Sequence, residues 1–379
     1  MITETNFVET LKHAKDVGQH IRFVEAAARQ ERVDALMAIV GRLERLRARA
    51  SARRPSDKGL QSNYGSMIEK IIEALSLLGG IDCAAAALDL VSTPERARAQ
   101  RLTASRIVAA RSPKIIDELL QTRPDVESRA LLLHEAVMRG KLRFGSSAGS
   151  VVAYALAQAR HPLGALPPTR LDIEAEVAPP RFEFGVTSYF SSRGSSRGQI
   201  NPKHLPQPPA RSVTASKVVD AARAEAMRAA MSLWAEAGAF RFETGVFRVP
   251  DLRASALLSA LPQLGLACVK PGDIIHGRAP VGPAEVFGEL FSAACNGGAH
   301  LSGWYAAYGR LRSWQSVAGL LGLPADTPIE ALEREAAQRT WAIFDADGDW
   351  FRGAAHQVGL ACFDPDNDEL AVLAAMDID

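Results

Sequence analysis

The sequence predicts an α+β protein that is mostly α. A helical bundle or irregular α-solenoid is expected over residues 1–160, a Pro/Gly/Ser-rich connector over 161–215, and an α+β domain over 216–379 with a small antiparallel sheet covered by helices. Three observations carry this reading. Apolar residues recur at helical spacing through the front of the chain, between Pro and Gly breaks. Prolines then cluster between residues 162 and 209. Beyond them, period-two alternation appears beside further helical patterns. A chain of 379 residues exceeds what one core usually organises. With 47% hydrophobic but only 6% aromatic residues, Ala and Leu dominate, which favours helix packing.

In order, residues 5–28 and 31–52 read as amphipathic helices. In the second, Val33, Leu36, Ile39, Val40, Leu43 and Leu46 form one apolar stripe. The break at residues 54–59 is followed by a helix over 66–78, ended by Gly79 and Gly80. Residues 82–91 form a short Ala-rich helix. Pro94, Pro113 and Pro124 each open another, since proline suits the first helical turn. Short helices joined by tight breaks suit a bundle or a solenoid of helix pairs, and no strict repeat separates the two.

Within 161–215, Arg181-Phe182-Glu183-Phe184 alternates like a short strand and is expected to pair with the later sheet. The Ser/Arg/Gly run at 188–198 reads as a surface loop. A helix is expected over 216–237, then a strand or hairpin over 238–249 turning at Thr244-Gly245. Asp251 is the expected cap of a helix to Leu264, and residues 282–295 form another. A Gly-rich loop, Asn296 to Gly303, leads into a helix over 305–321 with Trp304, Tyr308 and Leu311 at helical spacing. It lacks the lysine of a P-loop and the spacing of a dinucleotide fingerprint, so close backbone packing is its expected role. A charged helix is expected over 328–338, a strand over 340–344, a helix over 350–358, and strands over 360–363 and 369–374 joined by the turn-rich Asp364–Asp368.

Net charge is +1, which gives no global attraction to nucleic acid or membrane. The two ends differ. Residues 1–160 carry 25 Lys and Arg against 18 Asp and Glu, and residues 216–379 carry 13 against 21. Cys83, Cys268, Cys295 and Cys362 form no CxxC pair and lie in apolar segments, as reduced core thiols do. Residues 1–22 contain no apolar core of a leader, and no stretch is apolar enough to span a bilayer, so a cytoplasmic location is expected.

Two clusters are candidates for function. Arg42, Arg45, Arg49 and Arg53 fall at roughly helical spacing. They read as an exposed contact ridge, or as a solvated face favoured by the helix C-terminus. No aromatic residues interleave with them to stack on bases, so nucleic acid is the weaker partner. Asp345, Asp347 and Asp349 alternate just after a strand. Closely spaced carboxylates invite a divalent cation such as Mg²⁺ or Ca²⁺. The spacing fails as an EF-hand, because the glycine falls at 348 and His356 stands where the closing glutamate belongs. The plain alternative is a solvated turn with Asp349 capping the following helix. His300 or His356 would be the base in a metal-dependent reaction. No nucleophile motif is present, and His and Cys show no zinc-ligand spacing.

Phe344-Asp345, Asp349-Trp350-Phe351, the closing Leu370 to Asp379, and Gly297-Gly298 followed by Tyr308-Gly309-Arg310-Leu311 and Trp314 together resemble a bacterial family, domain of unknown function 6183. Met376 and Ile378 stand where that pattern has threonine. The resemblance covers residues from about 290 onward. It implies a bacterial cytosolic protein and no activity. The first functional expectation is therefore a non-enzymatic protein-interaction or regulatory module, for which a defence or immunity role would suit. Its partner is a protein, and it needs no cofactor. The alternative is a divalent-metal-dependent enzyme that acts on a phosphate-containing substrate through Asp345, Asp347 and Asp349.

Overall fold

The structure is a computed structural model that describes residues 2–14, 16–51, 58–142, 147–188, 213–237, 240–298 and 303–378. The chain forms two compact units. One comprises Met1–Val152 with Arg181–Ser188, and the other Ala153–Pro180 with Tyr189–Asp379. The overall class is α+β and mostly α, with a six-stranded antiparallel sheet. No helix among the described residues is long and apolar enough to cross a membrane.

The first unit is built from α1 (Phe7–Lys12), α2 (Gly18–Arg29), α3 (Val33–Ser51), α4 (Lys58–Leu77), α5 (Ile81–Val91), α6 (Ala97–Ala110), α7 (Pro113–Thr122), α8 (Val126–Met138) and the start of α9 (Ser147–Gln158). The Pro signals work in part: Pro94 opens a 3-10 turn ahead of α6, and Pro124 lies just before α8 rather than in its first turn. Pro113 occupies the first turn of α7, and Asp125 caps α8 by accepting from the Ser128 N–H at 2.7 Å. Contacts run between successive helices, such as α3 with α4 and α4 with α5, and also between alternate ones. α2 touches α4, α4 touches α6, and α6 touches α8, while α3 meets α5 and α5 meets α7. The apolar stripes account for this, since Leu36, Ile39, Val40, Leu43, Ile71, Leu75, Ile107, Val108, Leu131 and Leu132 are all buried. Each buried aliphatic side chain of this kind contributes about 1.5–3 kcal/mol relative to exposure.

Unexpectedly, the chain returns to this unit at 181–188. β1 (Arg181–Glu183) and β2 (Val186–Ser188) pair antiparallel with each other, and β1 lies against α6. The segment does not join the later sheet. The reason is local. Glu183 pairs with Val186, so Phe184 and Gly185 form a two-residue turn, and Gly185 takes φ +81° there.

The second unit holds β3 (Ser216–Val218), α10 (Ala221–Arg228), β4 (Phe240–Arg248), α11 (Leu257–Ala260), β5 (Ile275–Val281), α12 (Pro283–Asn296), α13 (Tyr305–Leu321), α14 (Ile329–Gln338), β6 (Thr340–Ala346), β7 (Ala354–Asp364) and β8 (Glu369–Ile378). The sheet order is β3-β4-β8-β7-β6-β5. One face packs Phe247, Phe344, Phe363, Leu370 and Val372 against Leu257, Leu261, Leu264 and Cys268. α12 and α13 also contact β6 and β7 or β7 and β8. The central strand β8 is thus covered on both sides. Every residue from Leu370 to Met376 is 1% exposed or less, which makes it an apolar run where a half-buried alternation was expected.

Several local expectations are corrected. Residues 216–237 are a strand, a short helix and 3-10 turns, because Asp220 caps α10 at the Arg223 N–H and divides the segment. β4 runs unbroken through Thr244-Gly245, held residue by residue to β8. Asp251 caps nothing: its φ is +62°, and α11 starts only at Leu257. Residues 350–353 are a turn, and β7 begins at Ala354 where a helix was expected, because pairing with β8 continues back to Ala354. The edge strand β5, punctuated by Gly277 and Pro280, had no expected counterpart.

Candidate functional site

Asp345, Asp347 and Asp349 do not gather. Asp345, near the end of β6, is 8% exposed, and its Oδ2 accepts from Gln357 Nε2 at 2.9 Å. Asp347 clasps the edge strand: its N–H donates to the Ile274 carbonyl at 3.1 Å, and its Oδ1 accepts from the Ile274 N–H at 2.8 Å. Asp349 is exposed in the turn and pairs with Arg352 at 3.0 Å. Among the described residues, no group of three His, Cys, Asp or Glu side chains could hold a metal ion. The sequence spacing misled because the strand ends at Ala346, so alternation stops before Asp349.

Of the two candidate bases, His300 lies outside the described residues. His356 sits opposite Asp377 across β7 and β8, and His276 sits opposite Asp345 across β5 and β6. The His356 ring is 6.4 Å from that of Trp234, and Asp377 is 1% exposed. A Cβ on Gly298, which has φ +80°, would collide with Asp377 Oδ2. This is the close backbone approach expected of the Gly-rich loop.

On α3, Arg45 and Arg49 are exposed one helical turn apart. Arg42 is half-buried and reaches the Thr5 carbonyl at 3.5 Å. Arg53 lies outside the described residues. The ridge thus keeps two free cations, Arg45 and Arg49, which make no ion pair among the described residues.

Two charged clusters were not anticipated. In the second unit, Glu174 and Arg310 are both 0% exposed. Arg310 Nε and Nη2 donate to the two carboxylate oxygens at 2.7 and 2.9 Å. Its Nη1 and Nη2 donate to the carbonyls of Pro167 and Thr169, each at 2.8 Å. Trp314 Nε1 donates to Glu174 Oε1 at 2.7 Å, and the Leu171 N–H to Oε2 at 3.0 Å. The stretch from Pro167 to Glu174, read as connector, is therefore bolted to α13.

In the first unit, Glu73, Ser105 and Glu135 are buried, and Arg106 and Arg139 nearly so, on α4, α6, α8 and the cap that ends α8. Ser105 Oγ donates to Glu135 Oε2 at 2.8 Å and accepts from Arg139 Nη2 at 3.0 Å. Glu73 pairs with Lys70 at 2.7 Å and with Arg106 at a long 3.9 Å. The β1–β2 hairpin lies here. Phe182 sits 5.7 Å from the Arg139 guanidinium, Phe184 sits 5.9 Å from Lys70 Nζ, and the Gly185 N–H donates to Glu73 Oε1 at 3.0 Å. The i,i+3 spacing of Lys70 and Glu73 and the i,i+4 spacing of Glu135 and Arg139 were visible, but such pairs are usually solvated.

Cys83, Cys268 and Cys362 offer no activated thiol. All four are buried, and burial pushes the thiols of Cys83, Cys268 and Cys362 up from their usual range. Burial also raises Glu289 on α12 to about 7, against the opposing charge of Arg278 and with the repulsion of Glu285.

Neither a curated protein nor a solved structure matches the chain. A model described as a family of unknown function, DUF6183, matches residues 18–379, which extends the resemblance from the tail to nearly the whole sequence. The chain belongs to the DUF6183 family.

Proposed function

We propose that the protein is a non-enzymatic protein-interaction or regulatory module whose helical unit supplies the contact surface. The observation that carries this is the different fate of the two candidate clusters. The three aspartates are each engaged separately, whereas Arg45 and Arg49 stand exposed and unpaired among the described residues. The alternating helix contacts support reading the first unit as a solenoid of helix pairs, an architecture that offers broad surfaces to other proteins. An excess of basic residues in 1–160 gives that surface an affinity for acidic partners.

The test is partner capture by the parent and by Arg45→Glu/Arg49→Glu, followed across ionic strength. Rim charges act mainly on association rate and salt dependence. The reading expects the double variant to lose most of the captured protein and the remaining binding to lose its salt dependence. Unchanged capture at every salt concentration removes the ridge as the contact surface.

A further inference from the structure

We infer that the face of α4, α6 and α8 beneath the β1–β2 hairpin is a docking site for an extended segment of a partner protein with aromatic residues at alternate positions. Residues 181–188 occupy that site in the free chain. The inference deepens the interaction reading proposed above and rests on it.

Four observations carry it. First, the hairpin cannot be held by its own sheet. Three residues pair with three, far too few for an independent ribbon, so the helices hold it. Second, the contacts are those by which a protein reads a peptide. Phe182 and Phe184 alternate, half-buried, against Arg139 and Lys70, while Arg181 before them and Glu183 between them are exposed. One backbone donor, the Gly185 N–H, goes to a buried carboxylate, Glu73. Third, the contacts come from three helices that touch in succession, α4, α6 and α8. Fourth, the site is imperfectly filled. Arg106 is 11% exposed at its side chain, and its Nε has no hydrogen-bond partner among the described residues. Among the described residues its only ion pair is the 3.9 Å approach to Glu73. A buried guanidinium left partly unsatisfied is costly. A segment carrying a carboxylate or carbonyl over Arg106 would hold the site better than the chain's own hairpin does.

The occupant is thus an extended segment with Phe, Tyr or Trp at positions i and i+2 and an acceptor for Arg106. It must first displace residues 181–188. The apparent affinity of such a site falls by the fraction of molecules in which it is open.

The experiment measures binding of a labelled octapeptide, Arg-Phe-Glu-Phe-Gly-Val-Thr-Ser, to the full chain by fluorescence anisotropy. The parent is compared with Phe182→Ala/Phe184→Ala, in which the in-chain occupant loses both anchors. The expected result is binding to the variant at least about tenfold tighter than to the parent, abolished when both phenylalanines of the peptide are alanine. No binding to the folded variant, or equal binding of the alanine peptide, overturns the inference. If circular dichroism shows the variant unfolded, hydrogen exchange on the parent with excess peptide decides. The amides of 185–188 then lose protection while α4, α6 and α8 keep theirs, and an unchanged pattern overturns the inference. A parent dimer that the peptide dissociates identifies the hairpin of a second copy as occupant and overturns the hetero-partner assignment. The surface on α3 is untouched by these substitutions. Failure here with ridge-dependent capture intact leaves the interaction reading standing, and loss of ridge-dependent capture does not alter the peptide result.

Discussion

Two buried charge networks differ in how completely they are satisfied. Both are covered by the stretch that composition marks as a connector. Glu174 and Arg310 are saturated: a two-pronged ion pair, two backbone carbonyls, an indole N–H and a backbone N–H leave little lone-pair capacity unused. In the Glu73–Arg106 network, Glu73 is held by Lys70 at 2.7 Å and by the Gly185 N–H at 3.0 Å. Arg106, however, has only the long 3.9 Å ion pair and an unmatched Nε–H among the described residues, beside two half-buried phenyl rings. A buried ion pair repays desolvation only with full hydrogen bonding. The first arrangement is built to stay closed, and the second leaves binding capacity in reserve. The difference suggests that one polyproline-rich stretch holds a permanent strap, residues 167–174, followed by an exchangeable one, 181–188.

The largest expected effect tests the permanent side. Glu174→Ala strands Arg310 without its counter-charge at 0% exposure, and should cost about 3–5 kcal/mol. In a unit of this size that lowers Tm by roughly 10 °C or more. Arg310→Met should cost as much. The double variant Glu174→Leu/Arg310→Met should recover part of the loss, because no lone charge remains, but not all of it, because the Pro167 and Thr169 carbonyls lose their donor. If thermal or denaturant unfolding shows either single variant within about 1 kcal/mol of the parent, the pair is not as closed as its geometry indicates.

Removing the phenyl anchors should cost less. Phe182 and Phe184 are half-buried, and each ring-on-cation contact is worth about 0.5–1 kcal/mol at such sites. Phe182→Ala/Phe184→Ala should therefore destabilise the helical unit by only about 1–2 kcal/mol, well below Glu174→Ala. Should the two losses prove equal, the contrast between permanent and exchangeable straps disappears.

The helical front half was largely legible in the sequence because its signals are local. Pro113 sets a first turn, Asp125 supplies a cap, and the Leu36–Leu43 stripe fixes a buried face. The two straps were not legible. Glu174 lies 136 residues from Arg310, and Phe182 lies 43 from Arg139, so nothing near either residue announces its partner. The sheet was half legible. Alternation identifies an exposed-faced strand, but β8 is covered on both faces, and Gly277 and Pro280 disguise β5. Asp345, Asp347 and Asp349 form a cluster in sequence only, because one end of the run is strand and the other is turn.

A carboxyl with less compensation than either network is Glu289. Burial raises it to about 7 from 4.5, with Arg278 opposing the rise and Glu285 adding to it. Its folded value lies above its unfolded one, so the native state binds the extra proton. Stability should fall as pH rises from about 4.5 to about 7 and level off above. The full shift corresponds to about 3 kcal/mol, and partial solvent access reduces this to about 1–2 kcal/mol. Glu289→Gln should flatten the slope over that window and raise stability at pH 8 by a similar amount. A parent-like slope in the variant assigns the pH dependence to other groups.

The smallest expected effect concerns the aspartates, and it asks whether individually engaged carboxylates can still act together. A ligand bound only by the native state raises Tm by mass action. Asp345 is held by Gln357, Asp347 by the Ile274 backbone and Asp349 by Arg352, so gathering a cation would require breaking at least two of these contacts. Millimolar Mg²⁺, Ca²⁺ or Mn²⁺ should therefore leave Tm of the parent unchanged. Asp345→Asn should lower Tm slightly and equally with and without the ions, since an amide can still accept one bond from Gln357. A metal-dependent rise in the parent that vanishes in Asp345→Asn/Asp349→Asn would reverse this ordering. The run Asp345–Asp349 would then be the exchangeable site, and the reading would move to a metal-dependent reaction on a phosphate-containing substrate.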